Sequence, residues 1–405
     1  MRILLVHNHY KQTGGEDTVF FAEAALLEEY GHIVEKLTFS NNDVNSLTEK
    51  LQAALGIVYN PKGARAVEEK IKEFRPDVVH VHNFFPLVSP AVFYVCRKLK
   101  VPVVMTLHNY RLICPSSYLH YHGKLHMENV HKVFPLPAIW DRAYRDSRFQ
   151  TASVVLTSGV HKLLGTWRNQ VDLFITLTPG AARLFQNSSL NPRPEQLVVK
   201  PNFTADLGLG KQKREAYFLF VGRLSPEKGL ETLLKAHAQH PFKLKVVGDG
   251  PLRSMVEAHA ASYPSLEYLG YQQRGRVVEE LKSARGLIFP SEWPEMFGMS
   301  IIESFSTGTP VIASKIGGGE YLVQHQQNGL HYRPGSAEEL VRSVKTMEQL
   351  PEMVYNLGKN ARMSYEQLYT PEANYHTLIS IYETARRPQN QKIATLETLQ
   401  ALPNL

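Results

Sequence analysis

The chain has 405 residues, 43% of them hydrophobic and 10% aromatic, which excludes a disordered or low-complexity polypeptide. It is longer than one core usually supports, so two domains are expected. A formal charge of +7 and a pI near 9.1 point to anionic partners without choosing among phosphates, acidic lipids and nucleic acid.

No run approaches the ~18 apolar residues that a spanning helix needs. The opening MRILLVHNHY has too short an apolar stretch for a signal peptide and suits a buried first strand. Cys96 and Cys114 cannot build a disulfide framework and suit a reducing, cytoplasmic setting. Basic residues are scattered, so no nucleic-acid partner is expected. One concentration, Arg142, Arg145 and Arg148, has the spacing of a single helix face. Contact with an anionic membrane is one reading of it and a plain solvated face the other.

In chain order, strands are predicted over Arg2–Val6, near Ile33–Leu37, and over Val78–His82, Val101–Leu107 and Leu173–Leu177. Helices are predicted over Thr18–Tyr30 and Ala64–Phe74. The segment from Gln196 to Phe203 leads into TADLGLGKQKRE, a polar, basic stretch that reads as a linker. Strands then recur over Tyr217–Val221, Lys243–Val247, Leu266–Leu269, Gly286–Phe289 and Pro310–Ala313. The predicted organisation is α/β: residues 1–203 as one doubly wound domain, 204–364 as a second, 365–388 as helices crossing back to the first, and 389–405 as a tail. Within the tail, Ile393, Leu396, Leu399 and Leu402 have threefold spacing. Ligands of such sheets bind beyond the carboxyl ends of the strands, so two facing halves imply a cleft.

The loops after the strands carry the candidate chemistry. Arg223 and Lys228 in RLSPEKG can neutralise a diphosphate, one as a fork of donors and the other as a point charge. Gly248 and Gly250 in GDGP allow close ligand approach. Gly270 and Tyr271 could meet a base edge. In EMFGMSIIE, Glu295 and Glu303 lie eight residues apart. On a continuous helix that is about 12 Å, too far for a hydrolase pair acting on one bond. Phe297, Gly298, Met299, Ser300 and Ile301 surround the start of a helix whose free N–H groups favour an anion. Glu303 is an acceptor suited to ribose hydroxyls and Glu295 to sugar hydroxyls.

Taken together, VGRLSPEKG, GDGP, EMFGMSIIE, TGTPVIAS, GGGE and NGL resemble, in content and order, the retaining GT-B glycosyltransferases of family 4, the group 1 glycosyl transferases. In the first half Gly14 and Gly15 look like that family's glycine loop facing the donor diphosphate. TLHNYRLICPSS, with His108, LGTWRNQVDLFITLT and VVKPNF are similar to a polysaccharide-biosynthesis subgroup. Members often carry further cysteines where this chain has His126 and Asn129. His120, His122, His126 and His131 do not match a zinc pattern, and no metal site is expected there. His80, His82 and Asn83 would line the acceptor side or pack structurally.

The resemblance implies the GT-B fold and transfer of a hexose, with glucose as default, from a UDP-sugar to a lipid-linked or polysaccharide acceptor, with retention. It implies catalytic roles for His108, Glu295, Arg223 and Lys228. Donor binding would fall to Gly14, Gly15, Gly248, Gly270, Tyr271, Phe297, Gly298, Met299, Ser300, Ile301 and Glu303. No Asp-x-Asp motif occurs, so no metal or other cofactor is expected. The enzyme would work at the inner membrane face. The alternative is a noncatalytic nucleotide-sugar-binding subunit. A nicotinamide oxidoreductase is disfavoured because the first strand lacks G-x-G-x-x-G.

Overall fold

The computed structural model describes residues 1–9, 15–40, 58–211 and 213–388. The chain divides into two compact units. One comprises Met1–Lys200 with the C-terminal stretch from Tyr375, and the other runs from Pro201 to Asn374.

The first unit holds a parallel sheet of order β2-β1-β3-β4-β7-β8: Arg2–His9 (β1), Ile33–Ser40 (β2), Val78–Val81 (β3), Val103–Thr106 (β4), Leu173–Thr176 (β7) and Leu197–Val199 (β8). A two-residue hairpin, His120–Tyr121 (β5) with Lys124–Leu125 (β6), stands apart from it. Six consecutive residues of β1, Ile3 to Asn8, are buried, as expected for a strand covered on both faces. The helix Gly15–Glu29 covers it with Phe20, Ala24 and Leu27. The last helix, Pro371–Arg386, adds Leu378, Ile381, Tyr382 and Ala385 to the same core. Its return to the first unit starts at Tyr375, ten residues beyond the expected boundary at Tyr365.

The second unit repeats the design with order β11-β10-β9-β12-β13-β14: Phe218–Val221 (β9), Leu244–Val247 (β10), Leu266–Gly270 (β11), Gly286–Phe289 (β12), Val311–Ser314 (β13) and Gly329–Tyr332 (β14). Its core packs Phe218, Phe220, Leu244 and Ile288 against Leu233, Leu340, Val344 and Leu357. The NGL segment leads into β14; β14, β8 and the hairpin are additional to the strands expected from the sequence.

Two expectations need correction. The predicted linker Thr204–Glu215 is not a free tether. Arg214 is threaded into the second unit, where its guanidinium donates to the carbonyls of Ala284, Thr307 and Gly308 and to Thr309 Oγ1 at 2.6–3.2 Å. Asp206 forms a bidentate pair with Arg362 at 2.6 and 2.7 Å. Arg214 is partly buried by these contacts, while Asp206, Lys211, Lys213 and Glu215 stay exposed. Second, Arg142, Arg145 and Arg148 do not share a helix face. Arg142 and Arg145 occupy turns with φ of 51° and 53°, and the helix begins only at Arg148. The predicted tail 389–405 and its apolar spacing lie outside the described residues.

Candidate active site

Strands β9 and β12 are neighbours in the second sheet, and the chain leaves them toward opposite sides of the strand order. That switch point opens a crevice at their carboxyl ends. The β9 loop carries Arg223 and Lys228, and the β12 loop carries Glu295. Lys228 Nζ lies 2.8 Å from Glu295 Oε2, so the two loops are bridged by an ion pair. Glu295 is 7% exposed, and its other oxygen, Oε1, is buried with no hydrogen-bond partner among the described residues. A buried carboxylate oxygen left bare costs roughly 1–3 kcal/mol, so this atom is set for a donor that the protein itself does not supply. Arg223 is exposed and makes no side-chain hydrogen bond or ion pair among the described residues.

Backbone glycines make these loops fit one another. Gly248 has φ of 144°, and a Cβ there would lie 1.8 Å from the Gly222 carbonyl oxygen. Its N–H donates to Gly270 O at 2.9 Å, and Leu224 N–H donates to Asp249 O at 2.9 Å. The side on which a Cβ would stand at Gly248 is thus filled by the β9 loop. The GGGE segment serves likewise. Gly318 donates to Glu295 O at 2.7 Å, and a Cβ on it would meet the Phe297 backbone at 2.8 Å, so the short helix Gly317–Leu322 seats the Glu295 loop.

The helix Met299–Ser306 begins at Gly298 and is followed by Gly308 in the left-handed region at φ of 66°. Met299 and Ser300, partly exposed, keep their N–H groups without a partner among the described residues. Ile301 does not fit the expected donor role: its side chain is fully buried, and its N–H already donates to Gly298 O at 3.0 Å. Phe297 is buried 6.2 Å from the Tyr369 ring, where it props the turn. Gly270 has φ of 66° and turns the chain outward to Tyr271, which is 77% exposed with its ring in solvent. Glu303 is partly buried. Burial pushes its carboxyl above the ordinary range, with Arg274 opposing. Glu295 precedes the helix, so the two glutamates are not residues of one continuous face.

In the first unit the candidate histidine joins a buried polar network that sequence reasoning missed. His108 Nε2 lies 3.1 Å from His82 Nδ1, and their rings stack at 5.3 Å. His82 Nε2 faces Glu23 Oε2 at 3.5 Å, and Glu23 Oε1 accepts from Lys200 Nζ at 2.7 Å. His80 does not line an acceptor surface: it is buried between Thr106 Oγ1 and the Tyr382 hydroxyl, each 2.8 Å away. Burial drives His108 down to about 3, and His80 and His82 well below their ordinary value, so all three are neutral. Gly15 opens the helix that carries Glu23, and Gly14 lies outside the described residues. Next to Gly15, burial lifts the Glu16 carboxyl to about 7 against the opposing Arg111, and Asn83 Nδ2 donates to it at 3.2 Å.

The histidines of the 120–131 segment do not converge. His126 stacks on Tyr121 at 3.5 Å and pairs with Glu128, while His131 is exposed. Among the described residues the close-set groups lie elsewhere: His7, His9 and Asp17, and Glu23, His80 and His82. Asp17 Oδ1 takes contacts from His7 Nε2 at 2.9 Å and His9 Nδ1 at 2.7 Å, and Lys200 claims Glu23. The first set is paired within itself, and the second is tied to Lys200, 177 residues from Glu23.

Two parallel α/β units, one with a cationic loop and a helix N-terminus at its switch point, define a protein built to hold an anionic, hydroxyl-bearing ligand. Comparison with known proteins agrees. Residues 205–364 match the family described as glycosyl transferases group 1, and residues 39–202 match the glycosyl transferase 4-like domain. The chain belongs to the group 1 glycosyltransferases, and its fold is GT-B.

The D-rhamnosyltransferase WbpZ of Pseudomonas aeruginosa is 32% identical over 158 residues, 38% of this chain and 42% of that protein. The O-antigen chain mannosyltransferase C of Escherichia coli is 27% identical over 172 residues, 42% of this chain and 46% of that protein. The chain thus spans less than half the length of these relatives. Among solved structures, Anabaena Alr3699/HepE in complex with UDP superposes with a TM-score of 0.68 at 18% identity, covering 95% of this chain and 100% of that one. Among the described residues no helix is long and apolar enough to cross a membrane.

Proposed function

We propose that this protein is a retaining glycosyltransferase that moves a hexose from a UDP-sugar to a lipid-linked or polysaccharide acceptor. The observation that carries the reading is the Lys228–Glu295 pair at the switch point, with Glu295 Oε1 bare and Arg223 exposed beside it. As the donor's glycosidic bond breaks, negative charge gathers on the diphosphate. Arg223, Lys228 and the free N–H groups of Met299 and Ser300 would neutralise it in place of a divalent ion. Glu295 would then take hydroxyls of the sugar, and Glu303 would take the ribose. No side chain is assigned as general base, since front-face transfer lets the leaving phosphate accept the acceptor's proton. UDP as the carrier and glucose as the sugar are supported by the UDP-bound fold relative and by the chain's resemblance to polysaccharide-forming enzymes.

A thermal-shift screen of nucleotide sugars, followed by donor hydrolysis with the best binder, tests this. UDP-hexoses are expected to stabilise the protein, and stabilisation by none of them would end the donor assignment. Glu303→Ala should weaken donor binding about ten- to a hundredfold while the unliganded melting curve stays put; a global loss of fold would make Glu303 structural instead. Excess chelator in the same assay should leave hydrolysis unchanged, and loss restored by magnesium would contradict a metal-free mechanism.

Peripheral contact with an anionic bilayer belongs to the same proposal. The outer face of the helix Arg148–Leu163 carries Phe149, Leu156 and Leu163, all exposed, one every second turn. Trp140 is 70% exposed, and the Arg148 guanidinium lies 5.4 Å from its ring. Aromatic and aliphatic side chains edged by Arg142, Arg145 and Arg148 suit a headgroup layer. The protein should float with phosphatidylglycerol-rich vesicles and not with phosphatidylcholine alone. Trp140→Ser with Phe149→Ser should reduce that binding at least about tenfold. Equal recovery with neutral vesicles, or none with either, removes the membrane from the proposal.

A further inference from the structure

The polar network of the first unit does more than satisfy buried atoms. Its donors and acceptors can be ordered from one end to the other because each member has a limited choice. Glu23 is enclosed and ionised: burial works against its charge, but the Lys200 ammonium keeps the carboxyl below its ordinary range. An ionised carboxylate only accepts. Its Oε1 is committed to Lys200, which leaves Oε2 for the ring edge of His82, 3.5 Å away. Glu23 Oε2 and His82 Nε2 are both buried and make no hydrogen bond among the described residues. At 3.5 Å they face each other as an ion-pair contact, and the charge of the carboxylate favours the ring proton on Nε2.

His80, also near that oxygen at 3.9 Å, does not compete, because both its nitrogens are held by the hydroxyls of Tyr382 and Thr106. Phe20 and His7 close the remaining sides of the His82 ring at 5.3 and 6.4 Å, and Asp17 engages His7. A neutral imidazole carries one proton. With that proton on His82 Nε2, its Nδ1 is a bare acceptor. The 3.1 Å contact to His108 then forms only if His108 Nε2 donates. His108 in turn has no second proton, so its Nδ1 offers a lone pair.

We infer that Glu23 and His82 are positioning residues that hold His108 as the Nε2–H tautomer, turning Nδ1 into a fixed hydrogen-bond acceptor for a ligand hydroxyl. The ligand end of this inference rests on the glycosyltransferase reading; the tautomer does not. A fixed acceptor selects a ligand that places a hydroxyl, rather than a hydrogen, at that point, since an acceptor facing a missing hydroxyl is left unpaired. It also rules out His108 as the group that protonates the departing phosphate, because Nδ1 has no proton to give.

The test is a long-range proton–nitrogen correlation spectrum of the full chain labelled at the histidine ring nitrogens, with His108 and His82 assigned by His108→Asn and His82→Phe. Both are expected as neutral Nε2–H rings across about pH 6 to about pH 8, and His82→Phe is expected to turn His108 into a mixture of tautomers. Protonated Nδ1 on His108 in the unaltered protein overturns the inference, and so does an unchanged His108 tautomer in folded His82→Phe. If that variant does not fold, the spectrum of the unaltered protein decides alone. In the donor assay His82→Phe should raise KM about tenfold with kcat nearly held, the mark of a lost contact made equally in ground and transition states. A correct tautomer in a protein that turns over no nucleotide sugar would retire the enzymatic reading and leave the relay standing.

Discussion

Lys228→Ala lowers kcat by about two to three orders of magnitude, the usual cost of removing one preorganised charge that faces developing negative charge. In the unliganded protein the ammonium is held by Glu295 at 2.8 Å, in a loop whose backbone is fixed by the Gly318–Glu295 hydrogen bond. Under the proposed mechanism, a lysine already held in place would need little reorganisation to meet the leaving diphosphate, and its release of Glu295 would expose a carboxylate to the sugar. The same substitution leaves Glu295 buried with neither oxygen paired, so a stability loss of roughly 1–3 kcal/mol accompanies it. Glu295→Gln separates the effects: in its background Lys228→Ala should lose most of the stability cost and keep the catalytic one. Single-turnover kinetics with the best nucleotide sugar and urea unfolding of the four proteins supply the readings. A kcat within about threefold of the unaltered enzyme would show that Lys228 serves Glu295 and not the leaving group.

The second large effect is on stability. Glu23→Leu should cost about 3–5 kcal/mol, because it removes the carboxylate paired with a buried ammonium. Lys200 and Glu23 are each 1% exposed at the side chain, 2.7 Å apart, and Lys200 sits just past the end of β8 while Glu23 faces in from the helix Gly15–Glu29. Lys200→Met should be milder, since the remaining carboxylate keeps the neighbouring imidazoles. The double replacement should recover most of the loss, as apolar substitutes for buried ion pairs often do. Urea midpoints with unchanged slopes would measure this, and a cost under about 1 kcal/mol for Glu23→Leu would mean that Lys200 finds another partner.

Two readings around the site have a common origin. GDGP looked like a ligand-facing turn because glycine permits close approach. The close approach is real, and the partner on the Cβ side of Gly248 is protein backbone, Gly222, as the Glu295 loop is for Gly318. Ile301 fell inside a motif whose start does present free N–H groups, yet one helical turn buries its side chain and returns its N–H to Gly298. Glu16 carries no motif-level signal of its own. Burial raises its carboxyl, and the groups that oppose the rise, Asn83 and Arg111, lie 67 and 95 residues further along.

Sequence alone determined the α/β alternation, the repeat of that alternation in two halves, and the loops in which Arg223, Lys228, Glu295 and Glu303 sit. Buried parallel strands are short apolar runs, their ends are marked by Gly and Pro, and their ligand-binding loops follow directly, so all of this is local information. Only the tertiary structure decided which charges meet. Lys228 finds Glu295 across a switch point, Lys200 finds Glu23 across a sheet, Arg214 abandons the linker role for carbonyls of the second unit, and His82 stands between Glu23 and His108. Pairing of that kind depends on distances of a few ångströms between residues tens to hundreds of positions apart, and burial makes each such pairing obligatory once the fold has formed.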